Sequence, residues 1–278
     1  MLSLPKIITG GATLLSKKEL NSLRLRKLFD DNGFSFFRMA KFEEYDFYAD
    51  KKDFLPSNSI LTFTDADGRL MALRPDVTLS LLKSSGNGKF YYSENVYRVP
   101  HNSASFREFS QAGIEIVGDI STDNIQQVLS LALQSLQLTA DNRNFMLVVA
   151  DANMIIQCLN GITNERFLKL LGQKNIHGLK ELNAPNDLIS LAELFMDTQH
   201  YSTLHSGILA DICRGLPADH SRVDFSAVSN IKYYNGIVFK GFINGIPQAV
   251  LSGGQYRIMG RNGIGFAVYL DLTGDTIS

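Results

Sequence analysis

The segment REFSQAGIEIVG, residues 107–118, carries the side chains best suited to do chemistry. Alternation with a period of two sets Phe109, Gln111, Gly113, Glu115 and Val117 on one face of a strand and Ser110, Ala112, Ile114 and Ile116 on the other. The second face is small or apolar throughout. The first holds an amide and a carboxylate two positions apart, with Gly113 between them leaving room for a ligand. Gln111 can donate and accept, and Glu115 can take an ammonium or an imidazole N–H. A plainer reading is the wet face of an antiparallel sheet. In LRPDVT, Asp76 and Thr78 offer a carboxylate and a hydroxyl at a strand-to-helix junction, where helix capping alone would also account for them. Arg98, ending the strand before REFSQAGIEIVG, could hold an anion or simply be solvated. Tyr233-Tyr234 and the SGGQY run, Ser252 to Tyr256, supply aromatic walls and a glycine pair that permits close backbone approach or a bend.

The elements that must position these groups follow from periodicity. Ser16-Lys17-Lys18-Glu19 is a capping box opening a helix that directs Leu20, Leu23 and Leu28 toward a core and stops near Gly33. Residues 34–39 read as a strand, and Ile60–Thr64 and Arg69–Leu73 as a hairpin about Asp65-Ala66-Asp67-Gly68. Pro75 and Asp76 start a short helix. Two strands, Lys89–Val99 and Arg107–Val117, flank the polar segment PHNSASF. A long amphipathic helix follows through Ile125, Val128, Leu129, Ala132, Leu133 and Leu136. FMLVVA, residues 145–150, is a buried strand; residues 152–215 are mostly helical, broken at Gly161, Gly172, Pro185 and Gly215. The chain then returns to strands in RVDFSAV, YYNGIVFKGFI, PQAVL after an Asn244-Gly245 turn, and GFAVYL. Locally paired strands with interspersed helices predict an α+β fold on a mainly antiparallel sheet flanked by helices.

Composition narrows the function classes. With 278 residues, 45% hydrophobic and 20% charged, the chain has the make-up of a globular protein. Its 27 basic and 28 acidic residues leave a net charge of -1, which disfavours a dedicated nucleic-acid binder. Cys158 and Cys213 stand apart without a CxxC, and the histidines His101, His177, His200, His205 and His220 form no ligand pair, so no metal site or disulfide framework is expected. The start, MLSLPKIITGGATLL, lacks the pattern of a secretory signal, and no apolar run reaches the length of a membrane span. A cytoplasmic protein without membrane attachment is the expectation.

In chain order the sequence reads LRPDVT, a strand ending NVYR, a polar loop, FREFSQAGIEIVG, then YYNGIVF, SGGQY and GIGFAVYL. This resembles the catalytic domain of histidyl-tRNA synthetase, a class II synthetase fold, over nearly the whole chain. In that family the LRPEGT, FRxF-Q-G-E, RGLDYYxxTVFE and SGGRYD segments build the histidine pocket. Carried over by position, the resemblance implies Asp76, Thr78, Gln111, Glu115, Tyr233 and Tyr234 as histidine contacts, with Arg98 beside them. Asp76 stands where the family has glutamate, and Val77 where it has glycine.

The departures bear on catalysis. The arginine of the family's GLERL motif is replaced by Leu272, and that opening RGLDYY by Ser229. Lys232 takes the place of the aspartate that follows it. Arginine-x-glutamate becomes Arg98-Val99-Pro100, and the first arginine of GRYR becomes Ser105, leaving Arg98 and Arg107. Adenylate formation needs cations around the transferring phosphorus, so losing several argues against it. The chain is expected to be one synthetase-like domain over 1–278, without the anticodon-binding domain of true synthetases and without a tRNA partner. A chain of this kind resembles the regulatory subunit of short-form ATP phosphoribosyltransferase, which acts in the first step of histidine biosynthesis. The resemblance implies a non-catalytic subunit without a cofactor, required by a small catalytic subunit in a hetero-octamer. It also implies homodimerisation near residues 33–45, where Ala40 replaces a proline, and histidine as allosteric effector. The alternatives are a free-standing enzyme that makes histidyl-adenylate or aminoacylates a non-tRNA acceptor, and a structural dimer partner that binds no small ligand.

Overall fold

Ser16 opens the first helix with a complete capping box: its hydroxyl accepts from the Glu19 amide at 3.3 Å, and the Glu19 carboxylate accepts from the Ser16 amide at 2.8 Å. The computed structural model describes residues 14–51, 55, 59–99, 105–162, 164–194, 208–228 and 233–274. Helix α1 spans Lys17–Asp31 and ends before Gly33, which adopts φ +82°. Its buried face is Asn21, Leu25, Leu28 and Phe29, at i, i+4, i+7 and i+8. Leu28 is buried as expected, whereas Leu23 is 39% exposed and Leu20 half-buried, so the inward face is shifted toward Asn21 and Leu25. On that face the Asn21 side-chain amide donates to the Thr273 carbonyl at 3.1 Å.

The elements follow in order: β1 (Ser35–Phe36), β2 (Phe42–Glu44), α2 (Asp46–Ala49), β3 (Thr62–Thr64), β4 (Leu70–Leu73), α3 (Val77–Ser84), β5 (Gly88–Arg98), β6 (Arg107–Val117) and α4 (Thr122–Thr139). Then come β7 (Phe145–Asp151), helices α5 (Ala152–Leu159), α6 (Glu165–Gly172), α7 (Ile176–Glu181), α8 (Asn186–Leu194) and α9 (Ile208–Arg214), and strand β8 (Ser221–Val223). Strands β9 (Tyr234–Ile243), β10 (Leu251–Ile258) and β11 (Arg261–Tyr269) and a last turn, α10 (Leu270–Thr273), complete the described chain. The large sheet runs β1-β5-β6-β11-β10-β9-β7-β8. Its two outermost pairings, β1–β5 and β7–β8, are parallel and the rest antiparallel, the expected α+β arrangement. A small sheet, β2-β4-β3, lies apart from it.

Three strand expectations need correction. Of residues 34–39, only Ser35–Phe36 pairs as a strand. RVDFSAV is a short strand at Ser221–Val223 followed by a 3-10 turn at Phe225–Ala227. PQAVL is a connection, and the strand begins at Leu251 and runs through SGGQY. Pro247 lacks an N–H for a ladder, whereas Leu251 to Ile258 pair along their whole length with β11.

Two cores lie on opposite faces of the sheet. On one, α1 and α4 cover Ala112, Ile114 and Ile116 with Leu25, Phe29, Val128, Leu129 and Leu136. Full burial of each large aliphatic side chain there contributes roughly 1.5–3 kcal/mol. On the other, Leu79, Leu81 and Leu82 of α3 pack on Tyr92, Val96, Tyr256 and Ile258. Helix α3 is clasped at both ends. Arg74, wholly buried, reaches the Glu94 carboxylate at 2.7 Å and the Ala40 and Asn95 carbonyls at 2.8 Å. Arg261 donates to the carbonyls of Leu82, Ser85 and Gly86 at the helix C-terminus, at 2.6, 2.9 and 2.6 Å.

One irregularity borders the same face. The β9–β10 register slips between Gly254 and Tyr256, so that residues 235–237 of β9 stand opposite Gln255 alone. The Gln255 side-chain oxygen takes the Ile237 N–H at 2.6 Å, replacing the missing backbone acceptor.

Candidate functional site

Strand β6 sets the floor of the site. Its alternation is as expected, but both faces are covered from Ser110 to Val117. Gln111 is 5% exposed and Glu115 3%, so the reading of this face as wet is wrong. The reason is tertiary: α3 and the start of β9 lie over it. The room expected at Gly113 is also taken. A Cβ there would stand 2.0 Å from the Phe266 carbonyl and 2.6 Å from the Tyr92 hydroxyl, so this glycine admits the neighbouring strand and a tyrosine.

A cavity of about 210 Å³ opens on this face. Its lining includes Asp76, Thr78, Arg98, Gln111, Glu115, Tyr233 and Tyr234, all seven residues singled out from the sequence. The volume falls below the roughly 300–1,000 Å³ of drug-sized sites, which suits a ligand of amino-acid size. Glu115 is the most constrained group. Thr78 donates to one carboxylate oxygen at 2.7 Å and Tyr256 to the other at 2.8 Å. Burial pushes the Glu115 carboxyl up to about 8, against those two hydrogen bonds, which pull it down. Gly265, its partner on β11, makes room for it: a Cβ there would lie 2.2 Å from Glu115 Oε2.

Asp76 caps α3, accepting the Leu79 amide at 2.9 Å, so the capping and cavity-lining roles coexist. Burial raises its carboxyl, while the Leu79 amide and the Arg98 charge lower it. Arg98 lies 5.8 Å from the centre of the Phe109 ring, within cation–π range. Tyr233 and Tyr234 meet edge to face at 4.8 Å, and Tyr233 approaches Tyr256 at 6.3 Å. Burial, reinforced by nearby carboxylates, pushes the phenols of Tyr92, Tyr233 and Tyr256 upward, so they remain hydrogen-bonding hydroxyls.

Tyr92, Ser252 and Tyr269 also line the cavity, and nothing in the sequence alone singles out Tyr92 or Tyr269. Pairing Arg98 with Arg107 sets Tyr92 opposite Gly113, a placement that follows once the hairpin register is known. Tyr269 stands opposite Gln111, and its hydroxyl meets Ser252 at 2.5 Å. Two carboxyls, one guanidinium and several hydroxyls suit a small zwitterion carrying a further N–H donor. Arg98 is the cation among the described lining residues. Leu272 packs against the main core, while Ser229 and Lys232 lie outside the described residues. Among the described residues there is no group of three His, Cys, Asp or Glu able to hold a metal, and no helix is long and apolar enough to cross a membrane.

Known proteins resemble this chain in fold and sequence. ATP phosphoribosyltransferase regulatory subunits from Acetivibrio thermocellus and from Clostridium botulinum (strain Langeland) are 26% and 27% identical, over 86% and 92% of this chain. The matches cover 66% and 69% of those proteins, so the chain spans about two thirds of their length. A Bacillus halodurans structure described as an ATP phosphoribosyltransferase regulatory subunit/histidyl-tRNA synthetase superposes with a TM-score of 0.77 at 20% identity, covering 98% of this chain and 83% of that one. The ATP phosphoribosyl transferase complex of Thermotoga maritima gives a TM-score of 0.72 at 19% identity, covering 91% of this chain and 97% of that one. These likenesses carry the fold. The histidyl-tRNA synthetase family model matches residues 15–272, and with nearly the whole described fold inside that match the chain belongs to this family.

Proposed function

We propose that this chain is a non-catalytic regulatory subunit of a short-form ATP phosphoribosyltransferase, required by a separate catalytic subunit in the first step of histidine biosynthesis. The observation that carries the reading is the contrast inside one site. The amino-acid pocket keeps its hydrogen-bonding groups, while Leu272, at a position where the family has arginine, is turned into the core. A site suited to an amino acid whose described lining holds Arg98 as its one cation suits a sensor better than an adenylating enzyme, which needs several around the transferring phosphorus. The names of the curated relatives point the same way.

In this reading L-histidine is the effector, held by Asp76, Thr78, Arg98, Gln111, Glu115, Tyr233 and Tyr234. Its preference for one state of the complex would shift the activity of the partner. Self-association near residues 33–45, a hetero-octameric assembly and a cytoplasmic location belong to the same proposal. The test is reconstitution. A short catalytic subunit inactive alone should form phosphoribosyl-ATP when this chain is added, and histidine should suppress the product. Histidine-dependent ATP–pyrophosphate exchange by the purified chain would favour the alternative, a free-standing adenylate-forming enzyme, and refute the proposal.

A further inference from the structure

Glu115 is the pocket group least matched to carrying a negative charge. The groups facing it come from five elements. Asp76 and Thr78 stand at the start of α3, Tyr92 on β5 and Tyr256 on β10. Tyr233 and Tyr234 stand at the start of β9, and Gly265 on β11. One of these is a second carboxyl, and the others are hydroxyls or carbon. Arg98 acts on Asp76 rather than on Glu115. Both Glu115 oxygens take hydroxyl donors, at 2.7 and 2.8 Å, and the side chain is 3% exposed. A buried carboxylate with hydroxyl donors alone is poorly stabilised as an anion. An arriving cationic nitrogen supplies the missing charge.

We propose that ligand entry at this site is a proton exchange: a cationic ligand nitrogen docks on Glu115, the carboxyl proton departs to solvent, and an N–H···carboxylate bond takes its place. The balance is one proton released per ligand bound when Glu115 is neutral beforehand and the docking nitrogen is already charged in solution, as the α-ammonium of histidine is at pH 7. This inference rests on the histidine reading and adds regulation of the same site: acidification competes with the ligand. With the Glu115 carboxyl near 8 in the empty pocket, affinity should rise about fivefold between pH 7 and pH 8 and level off above that.

The experiment is calorimetry of histidine binding to the full chain at pH 7, in two buffers of different ionisation enthalpy. The expected release is about 0.9 proton per histidine at pH 7, falling to about half at pH 8. Tyr256→Phe removes one hydroxyl from the carboxylate and should move this profile to higher pH while histidine still binds. Histidine binding with the same heat in both buffers overturns the proton exchange and leaves the histidine reading standing. No histidine binding by folded protein in either buffer overturns both.

Discussion

Replacing Arg74 by methionine keeps most of the side-chain volume and removes the guanidinium alone. The loss can be worked from its partners. Arg74 is 0% exposed and makes four side-chain hydrogen bonds: one to the Glu94 carboxylate at 2.7 Å, two to the Asn95 carbonyl at 2.8 and 3.2 Å, and one to the Ala40 carbonyl at 2.8 Å. Removing one partner of a buried ion pair costs about 3–5 kcal/mol. The Glu94 side chain keeps 13% exposure, so water relieves part of the penalty. The two carbonyls add a smaller loss. Arg74→Met should therefore destabilise the protein by about 3–4 kcal/mol, read in urea denaturation as a lower midpoint with an unchanged slope. In a double-mutant cycle with Glu94→Gln, the pair should be less damaging than the sum by about 1–3 kcal/mol. A single-variant loss under about 1 kcal/mol, or strict additivity with Glu94→Gln, would refute the account of Arg74 as the buried clasp of the segment leading into α3.

Glu115 lies well above its ordinary value in the folded state, so its contribution to stability is intact below about pH 4.5 and lost as pH rises through about 8. The wild type should lose on the order of 4 kcal/mol over that window through this group, while Glu115→Gln lacks that loss; parallel denaturant midpoints at pH 5 and pH 8 for the two proteins would count against it. Gly265→Ala places a methyl 2.2 Å from both Glu115 Oε2 and the Ile114 carbonyl. It should lower stability by about 1–3 kcal/mol in thermal melts and displace Glu115, abolishing histidine binding in calorimetry. Ser16→Ala breaks the capping box and should cost about 1 kcal/mol by denaturation, with histidine affinity unchanged.

Strand parity made half of the site legible, because alternation is local. Gln111 and Glu115 share a face in any register, and Asp76 and Thr78 follow from a helix start. What covers that face is non-local. Nothing within REFSQAGIEIVG reports that α3 lies above it, held there by Arg74 and Arg261 across separations of 20 and 175–179 residues. The same distinction explains the errors. Of the Leu20–Leu23–Leu28 pattern only Leu28 is buried, and the inward face runs instead through Asn21, Leu25 and Phe29, with the Asn21 amide bonded to the Thr273 carbonyl. PQAVL looks like a strand by composition, while LSGGQYRI, rich in glycine and polar residues, does not. It becomes one because β9 and β11 pair on its two sides. Of the two uses the sequence allows for the glycine pair, close backbone approach is the one met at Gly253, where a Cβ would lie 2.2 Å from the Gly265 carbonyl, while the register slips just after Gly254.

The slipped register beside Gln255 decides which side chains of β9 face the pocket. The offset is two residues, and an even offset keeps side-chain parity in step, whereas an odd one would turn Tyr234 to the opposite face. Tyr234 therefore stays on the cavity side despite the slip. The stitch that holds the present setting is the Gln255 amide, which is absent from the cavity lining. Gln255 thus governs which β9 residues reach the cavity without touching the cavity itself.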